Sequence, residues 1–114
     1  MSNVKQVFRE IDVALGEDSA YAEGVEAVYQ FNLNGEEPGV FQLILNGEDS
    51  YTTEGDGVEA DCILNMASED FIKMAEGELN GTQAFMSGRL KIKGNMGLAL
   101  KLQSILATYN KKNA

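Results

Sequence analysis

The sequence predicts an α/β (α+β) fold, in which helices pack against one β-sheet. Apolar residues recur at helical spacing near both ends of the chain, and the segments between them show the alternation or short apolar runs that are typical of strands. The length of 114 residues and the hydrophobic content of 44% are those of one ordinary globular core. We therefore expect a single domain over residues 1–114.

The first predicted element is an amphipathic helix over residues 4–15. Ser2 or Asn3 is placed to cap its start, and Gly16 is expected to end it in a left-handed conformation. The acidic segment Glu17–Gly24 is then expected to form a loop or a short helical turn. The apolar side of the helix consists of Val4, Val7, Phe8, Ile11, Ala14 and Leu15.

Three strands are predicted next. Residues 25–33 alternate between apolar and polar side chains, whereas residues 40–45 are apolar on both faces apart from Gln42, which predicts a strand inside the sheet. The Asn46-Gly47 pair predicts a two-residue hairpin, since both of its central positions need positive φ. The polar strand that returns over residues 48–54 is expected to form an edge.

A glycine-rich turn and a fourth strand follow. The segment Gly55–Ala60 matches the dinucleotide fingerprint letter for letter, but a strand is predicted after it instead of a helix, so no helix N-terminus would face a phosphate. Residues 59–66 form that predicted strand. Within this strand Cys62 and Leu64 point to the same face of the sheet. We therefore expect Cys62 to be a small buried hydrophobic residue.

Two helices are predicted after this strand. The first covers residues 68–77, with Ser68 as its cap and Gly77 as its exit. The second is short, covers Thr82–Ser87 and is ended by Gly88.

A strand and a long helix complete the chain. Residues 89–93 alternate, so Leu90 and Ile92 are expected to point inward while the three cations face water. The Gly94-Asn95 pair opens a helix that is predicted from Met96 to about Tyr109.

This last helix carries more apolar surface than a sheet can cover. A helix docked on a sheet needs an apolar stripe only about 100° wide. A partner chain, a flanking helix or a ligand must cover the rest, and the pattern leaves these three alternatives open. The apolar positions are Met96, Leu98, Ala99, Leu100, Leu102, Ile105, Leu106 and Tyr109.

The composition excludes several classes of function. The chain contains no histidine, which removes most general-base, catalytic-triad and zinc-site interpretations, so we expect a binding protein that is not an enzyme and has neither metal nor cofactor. The single cysteine fits a reducing compartment. No hydrophobic stretch follows the N-terminus as in a secretory signal, and we expect the protein to be cytoplasmic.

The distribution of charge is uneven. The formal net charge is −9, which argues against nucleic acid as a partner. All eighteen acidic residues lie at or before Glu78, and six of the nine basic residues follow it. This basic end either is a solvated surface or contacts an anionic headgroup, a coenzyme phosphate or a membrane surface. The residues assigned to that contact are Arg89, Lys91, Lys93 and Lys101.

Four methionines are concentrated in one part of the chain. Met66, Met74, Met86 and Met96 all lie between residues 66 and 96. Methionine is flexible and polarisable, so it fills gaps in cores and also lines sites that accept ligands of varying shape. Their position beside the apolar last helix indicates an adaptable lipophilic cavity, with ordinary core packing as the alternative.

The region Gly81–Leu106 resembles the sterol carrier protein 2 (SCP2) family of lipid-binding domains. The resemblance rests on the run AFMSGRLKIKGN at residues 84–95 and on Leu98, Lys101 and Leu102 after it. The resemblance implies a five-stranded sheet covered on one face by helices, with a hydrophobic tunnel between them. It also implies a ligand that is a fatty acid, a fatty acyl-CoA, a phospholipid or a sterol.

The expected function is lipid binding and transfer. An empty lipid pocket of ~300 Å³ would cost on the order of 7 kcal/mol, so we expect the pocket to collapse partly or to hold a guest. Gln103 is expected to hydrogen-bond a carboxyl or ester oxygen of the lipid. The residues assigned to lipid binding are Phe71, Met74, Phe85, Met86, Met96, Leu98, Leu102, Gln103, Ile105 and Leu106.

Two alternatives to a free carrier stay open. The same pocket would serve an accessory module that presents acyl substrates to a lipid-metabolic enzyme. A structural homodimer would instead cover the last helix with a second copy and leave the pocket collapsed. We expect a monomer or a weak dimer, with transient contact to an anionic membrane or to such an enzyme.

Overall fold

The computed structural model describes residues 3–17, 26–46 and 49–112, which form one sheet and four helices. The strands are β1 (Glu26–Asn34), β2 (Gly39–Asn46), β3 (Tyr51–Glu54), β4 (Cys62–Ala67) and β5 (Leu90–Gly94). The helices are α1 (Val4–Glu17), α2 (Ser68–Ala75), α3 (Gly81–Met86) and α4 (Met96–Lys112).

The five strands form a mixed sheet in the order β3-β2-β1-β4-β5. The central pair β1 and β4 is parallel, and every other neighbouring pair is antiparallel. Strand β3 is therefore an edge and β2 is an inner strand, as the sequence predicted. The α/β class with one five-stranded sheet is confirmed.

One face of the sheet carries the core. Alternate residues of β1 and β4 are buried beneath the helices, and Cys62 is one of them, so the prediction that it is a buried hydrophobic residue is confirmed. Helix α1 contributes Phe8, which stacks on Phe41 and Phe71 at ring-centroid distances of 4.6 and 4.8 Å. Phe31 meets both Phe8 and Phe71 edge-to-face. These four rings form an aromatic cluster between α1, α2 and the sheet.

The opposite face of the sheet carries a chain of side-chain amides. Gln42 donates a hydrogen bond to Gln30, Gln30 donates to Asn32, and Asn32 donates to Asn65, at 3.0–3.1 Å. Gln42 also donates to the carbonyl of Val58, and it accepts from the N–H of the same residue. The loop before β4 is thereby fastened over Gln42, which is fully buried.

The end of α1 differs from the prediction, whereas its start agrees with it. The Asn3 side chain caps α1 by accepting from the Gln6 N–H, but the helix continues through Gly16, since glycine permits a left-handed stop without requiring one. The predicted loop at residues 18–24 and the side chain of Leu15 lie outside the described residues.

The alignment of β2 with β3 differs from that of the predicted hairpin. A two-residue turn centred on Asn46 and Gly47 would pair Leu45 with residue 48, whereas the sheet pairs Ile44 with Tyr51. The Asn46 N–H donates to the Ser50 hydroxyl at 2.9 Å. Residues 47 and 48 lie outside the described part of the chain.

Strand β4 and helix α2 also begin differently from the prediction. Residues 59–61 lead into β4 without belonging to it, and Asp61 is tied to Val28 by two hydrogen bonds. The N-cap of α2 is Ala67, and Ser68 is the first helical residue. The Ser68 hydroxyl does not cap the helix, because it accepts from the Glu37 N–H and donates to the Glu69 carboxylate. The helix ends at Ala75, and Gly77 follows with φ +81°.

The passage from β5 into α4 is tight. Gly94 has φ +98°, and a Cβ atom there would lie 2.5 Å from the carbonyl oxygen of Asp61. The same carbonyl accepts from the Asn95 N–H at 3.1 Å, and the Asn95 side chain caps α4 by accepting from the Leu98 N–H. Only glycine fits this approach, so the sequence Gly94-Asn95 fixes where α4 leaves the sheet.

Candidate lipid-binding cavity

An apolar cavity of about 60 Å³ lies between the β4–β5 end of the sheet and helices α2, α3 and α4. Ten of its twelve lining residues have no polar side-chain group. The lining consists of Leu64, Met74, Gly81, Thr82, Phe85, Leu90, Ile92, Met96, Ala99, Leu100, Leu102 and Gln103.

The alternation of the strands and the turn of the helix place these side chains together. Leu64 on β4 pairs with Ile92 on β5, so both point to the helical side of the sheet. On α4, Met96, Leu100 and Gln103 are spaced by four and three residues, which brings them to one side of the helix. The floor of the cavity is therefore sheet and its roof is helix.

One end of the cavity is polar. The Thr82 hydroxyl donates to Gln103 Oε1 at 3.3 Å. Asn80 caps α3 by accepting from the N–H groups of Thr82 and Gln83 at 2.8 and 3.3 Å, which holds the start of the helix in place. A Cβ atom at Gly81 would lie 2.9 Å from Gln103 Oε1, so glycine allows α3 to approach α4 this closely.

The cavity opens to solvent through an apolar rim. We define the rim as Phe85, Met86, Met96 and Leu100, whose exposed fractions are 43%, 80%, 45% and 63%. Three of the four also line the cavity. The apolar lining therefore continues through Phe85, Met96 and Leu100 onto the protein surface, and the excess apolar surface predicted for α4 is partly exposed there.

A hydrogen bond holds the first turns of α4 against the sheet. The fully buried Tyr29 on β1 donates from its hydroxyl to the carbonyl of Leu98 at 2.8 Å. Burial, with smaller contributions from Cys62 and Asp61, raises the pKa of Tyr29 far above its ordinary value. Burial also raises the pKa of the Cys62 thiol, with a smaller contribution from Asp61. Both groups are thus kept protonated beneath α4.

The structure brings five of the ten residues assigned to lipid binding around the cavity. Met74, Phe85, Met96, Leu102 and Gln103 line it.

The other five residues lie elsewhere. Phe71 is buried in the aromatic cluster, and Met86 extends from the rim into solvent. Leu98 packs against the core, while Ile105 and Leu106 are buried within it further along α4. Successive side chains of a helix point in different directions around its axis. The apolar residues of α4 are therefore divided between the core and the cavity.

Seven lining residues were not assigned to the site from the sequence. Leu90 and Ile92 were predicted to point inward, and the same parity argument applies to Leu64. Ala99 and Leu100 belong to the last helix, whose excess of apolar residues already indicated that some of them face a site other than the sheet. Gly81 and Thr82 line the cavity because α3 packs against Gln103 on α4. No local pattern in the sequence predicts this contact.

Three of the four assigned cations, Arg89, Lys91 and Lys93, line one surface groove beside Asp70, and Lys101 lies apart on α4. Arg89 donates to Asp70 in an ion pair of 2.9 Å, with Asp70 largely buried. Lys91 and Lys93 stand on the polar side of edge strand β5, opposite Asn65 and Ile63. Lys101 is exposed on α4, next to the rim residue Leu100.

Across residues 3–17, 26–46 and 49–112, no three histidine, cysteine, aspartate or glutamate side chains are grouped so that they could hold a metal ion. In that part of the chain no helix has both the length and the apolar character that a membrane span requires.

Solved structures share this architecture. The sterol carrier protein domain 2 of Helicoverpa armigera superimposes with a TM-score of 0.79 at 28% identity, over 95% of this chain and 88% of that one. Sterol Carrier Protein 2 from Yarrowia lipolytica (apo form) gives 0.79 at 26%, over 92% and 90%. Sterol Carrier Protein-2 from Aedes aegypti, solved as a complex with palmitate, gives 0.74 at 22% over 94% and 97%, and this last likeness concerns the fold alone.

Comparison of sequences identifies the family. Hydroxysteroid dehydrogenase-like protein 2 of Xenopus laevis is 42% identical over 97% of this chain and 26% of its own length, and the Homo sapiens protein is 40% identical over 94% and 25%. The chain thus spans about a quarter of the length of these curated relatives. The family model of the SCP-2 sterol transfer family matches residues 6–107, and this chain belongs to that family.

Proposed function

We propose that this protein binds a lipid with a linear acyl chain in the cavity between β4, β5 and α4, and that it carries the lipid between donors and acceptors. The observation that supports this proposal is the continuity of the apolar lining from Leu64 and Ile92 inside to the exposed rim. An interior cavity that served only packing would have no need of an exposed apolar opening. The sterol carrier proteins with the same fold, one of them solved with a C16 fatty acid, support the same class of ligand.

The small volume of the cavity fits a pocket that is partly collapsed without its ligand. A cavity of about 60 Å³ costs on the order of 1.5 kcal/mol, whereas an open lipid pocket of ~300 Å³ would cost on the order of 7 kcal/mol. Each methylene buried in the pocket contributes ~0.8 kcal/mol. An acyl chain therefore supplies enough free energy to displace flexible side chains such as Met74 and Met96.

The polar end of the cavity sets the orientation of the lipid. Gln103 accepts from Thr82 through Oε1, and its amide N–H groups are the donors available to a carboxylate or ester oxygen. We propose that the carbonyl end of the lipid lies beside Thr82 and Gln103 while the acyl chain follows Leu90 and Ile92.

Native mass spectrometry of the delipidated protein titrated with palmitate tests the proposal. We expect a one-to-one adduct at micromolar palmitate. Ala99→Phe places a ring in the cavity and should abolish the adduct. Ala60→Phe, which adds the same ring in the loop before β4, should leave it unchanged. Absence of an adduct with the unaltered protein, or equal binding by Ala99→Phe with a normal melting temperature, would contradict the proposal.

A second candidate function is presentation of lipid substrates to an enzyme. It is favoured by the relatives named hydroxysteroid dehydrogenase-like, of which this chain matches about a quarter. The same cavity would serve both functions. Affinity capture separates them: an enzyme recovered at one-to-one stoichiometry supports presentation, whereas the protein recovered alone supports a free carrier.

We further propose that the protein acts in the cytoplasm. The single cysteine of the sequence is a buried free thiol, which suits a reducing compartment. Fractionation of cells that express the native gene tests this location, and recovery with the secreted fraction would contradict it.

A further inference from the structure

A surface groove of about 700 Å³, which we call the β5 groove, lies on the side of β5 that faces away from the lipid cavity. Among the described residues that line it, three are cations and one is a carboxylate, although the whole chain has a formal net charge of −9. The polar lining residues are Asn34, Asn65, Asp70, Arg89, Lys91 and Lys93.

A second groove shows that such an excess of positive charge is not general in this molecule. It has a volume of about 850 Å³ and lies between α1 and the connection from β1 to β2. Its charged lining residues are Lys5, Arg9, Glu10 and Glu37, two of each sign. The β5 groove instead keeps two positive charges in excess of its single carboxylate. Such a local excess in an acidic protein indicates a site that binds anions.

The Arg89 side chain is held in the β5 groove by Asp70. Its Nη2 donates to Asp70 Oδ1 at 2.9 Å, and the Asp70 side chain is 12% exposed, against 48% for Arg89. A guanidinium group carries five N–H donors, so donors remain for a ligand after this ion pair has formed. Because Asp70 already restricts the guanidinium, less entropy is lost when an anion binds to it.

The chain of amides on this face of the sheet supplies another donor. Each amide donates to the next, so Asn65 at the end of the chain accepts from Asn32 through Oδ1 at 3.1 Å. The N–H groups on Nδ2 of Asn65 are then the donors with which this side chain meets a ligand. Asn65 lines the β5 groove and is paired with Lys91 across the two strands, so an amide donor and a cation lie side by side.

We propose that the β5 groove binds a phosphate group, with Arg89, Lys91 and the Asn65 amide donating to its oxygens. A phosphate monoester carries a charge of about −1.5 to −2 at pH 7 and has three acceptor oxygens. This charge matches the excess of two positive charges in the groove, and the oxygens match the set of donors. A carboxylate, with one charge and two oxygens, would leave part of both unmatched.

The phosphate site and the lipid cavity lie on opposite faces of one strand. Leu90 and Ile92 line the cavity, whereas Arg89, Lys91 and Lys93 line the β5 groove. Successive side chains of a strand point to opposite faces, so a ligand in the groove does not occupy the cavity. The inference therefore goes beyond the proposed lipid binding and does not depend on it.

Titration with pyrophosphate, followed by two-dimensional amide NMR, tests the site. We expect saturable shifts of the backbone amides of residues 88–93 and of the side-chain amide of Asn65, which reports its donor directly. Asn65→Asp keeps an oxygen that accepts from Asn32 but replaces the amide donors by a carboxylate, and it should weaken binding at least tenfold. Gln83→Glu makes the same change on α3 outside the groove and should bind pyrophosphate normally.

The cations have their own test. Lys91→Gln should weaken pyrophosphate binding about fivefold, the value of one exposed charge pair. Lys5→Gln, an equal loss of charge in the balanced groove, should leave binding unchanged. Thermal melting identifies any variant that fails to fold. If Asn65→Asp is such a variant, Lys93→Gln takes its place, since that side chain is exposed.

Two further ligands separate the sources of the phosphate. Adenosine 3′,5′-bisphosphate represents a nucleotide and glycerol 3-phosphate represents a lipid headgroup, and saturable binding of either in the groove supports the site. Shifts spread over all the lysines, or equal losses from Lys91→Gln and Lys5→Gln, would overturn the proposal. A glutamate-rich peptide that binds the groove more tightly than pyrophosphate would also overturn it, by assigning the groove to an acidic protein. Lys91→Gln should keep the palmitate adduct in native mass spectrometry, so phosphate binding and lipid binding fail separately.

Discussion

The hydroxyl of Tyr29 and the carbonyl of Leu98 are joined by a 2.8 Å hydrogen bond across 69 residues of sequence. Tyr29 lies on the central strand of the sheet, and Leu98 lies in the first turns of the helix that roofs the cavity. This hydrogen bond therefore fastens the first turns of α4 to the centre of the sheet.

We expect Tyr29→Phe to lower the free energy of unfolding by about 1 kcal/mol, the usual net value of one hydrogen bond. Because α4 is then released more often, the dissociation rate of bound lipid should rise. Urea denaturation and stopped-flow transfer of a fluorescent fatty acid measure the two effects. Tyr51→Phe, on the exposed edge strand β3, is the matched control and should change neither. An equal effect of both variants would show that Leu98 is not held in this way.

The stability of the protein should fall at alkaline pH. Burial raises the pKa of Tyr29 and of Cys62, so the folded state keeps protons that the unfolded chain loses as the pH rises through their ordinary values of 10.0 and 9.0. The stability that these two protonated groups contribute is fully present below pH ~9. Above that pH each group lowers the free energy of unfolding by up to about 1.4 kcal/mol per pH unit. Urea denaturation across this range measures the slope.

Cys62→Ala and Tyr29→Phe should each reduce that slope, whatever they do to stability at neutral pH. A slope that both variants leave unaltered would assign the alkaline loss to other groups.

Gly94→Ala should be strongly destabilising. The new Cβ atom would lie 2.5 Å from the Asp61 carbonyl oxygen at a residue with φ +98°. We expect a loss of about 2–3 kcal/mol from the clash and the backbone strain together.

Gly55→Ala is the matched control, because φ there is +107° and nothing lies within 4 Å of its Cβ position. It should lose about 1–2 kcal/mol from strain alone. Thermal unfolding of both variants measures the difference, and a smaller loss at Gly94 than at Gly55 would contradict the proposed fit.

Gln103→Leu tests the polar end of the cavity. Removal of the amide donors should weaken palmitate binding about tenfold, the value of one hydrogen bond to a charged group. Binding of a long-chain alkane, which has no carbonyl group, should be unaffected or improved. Competition with a fluorescent fatty acid measures both affinities. Gln83→Leu, exposed on α3 outside the cavity, should bind palmitate normally, and a normal affinity of Gln103→Leu would refute this orientation of the ligand.

Periodicity predicted the sheet and the general place of the cavity. Strand parity alone directs Leu90 and Ile92 inward. The last helix was predicted to carry more apolar surface than the sheet covers, and Leu100 is 63% exposed beside the cavity. The family resemblance then supplied the layer arrangement and the class of ligand.

The division of apolar residues between core and cavity could not be predicted. Phe71 and Met74 are three residues apart on α2, yet Phe71 enters the aromatic cluster and Met74 lines the cavity. Which of the two residues faces the cavity depends on the rotation of α2 about its axis relative to the sheet. The residues of α2 alone do not determine that rotation. The pairing of Thr82 with Gln103 likewise depends on the packing of α3 against α4.

The row of amides on the solvent side of the sheet has a consequence for strand alignment. Hairpins set the alignment of antiparallel neighbours, but β1 and β4 run in the same direction and have no turn between them to do so. Asn32 faces Asn65 across that pair, and their amides are bonded at 3.1 Å. A shift of β4 by one residue would turn Asn65 into the hydrophobic interior. A shift by two residues would put Ile63 or Ala67 opposite Asn32, so the Asn32 amide would lose its hydrogen-bond partner on β4. This pair of asparagines thus penalises both shifts of β4, the strand that carries Leu64 into the floor of the cavity.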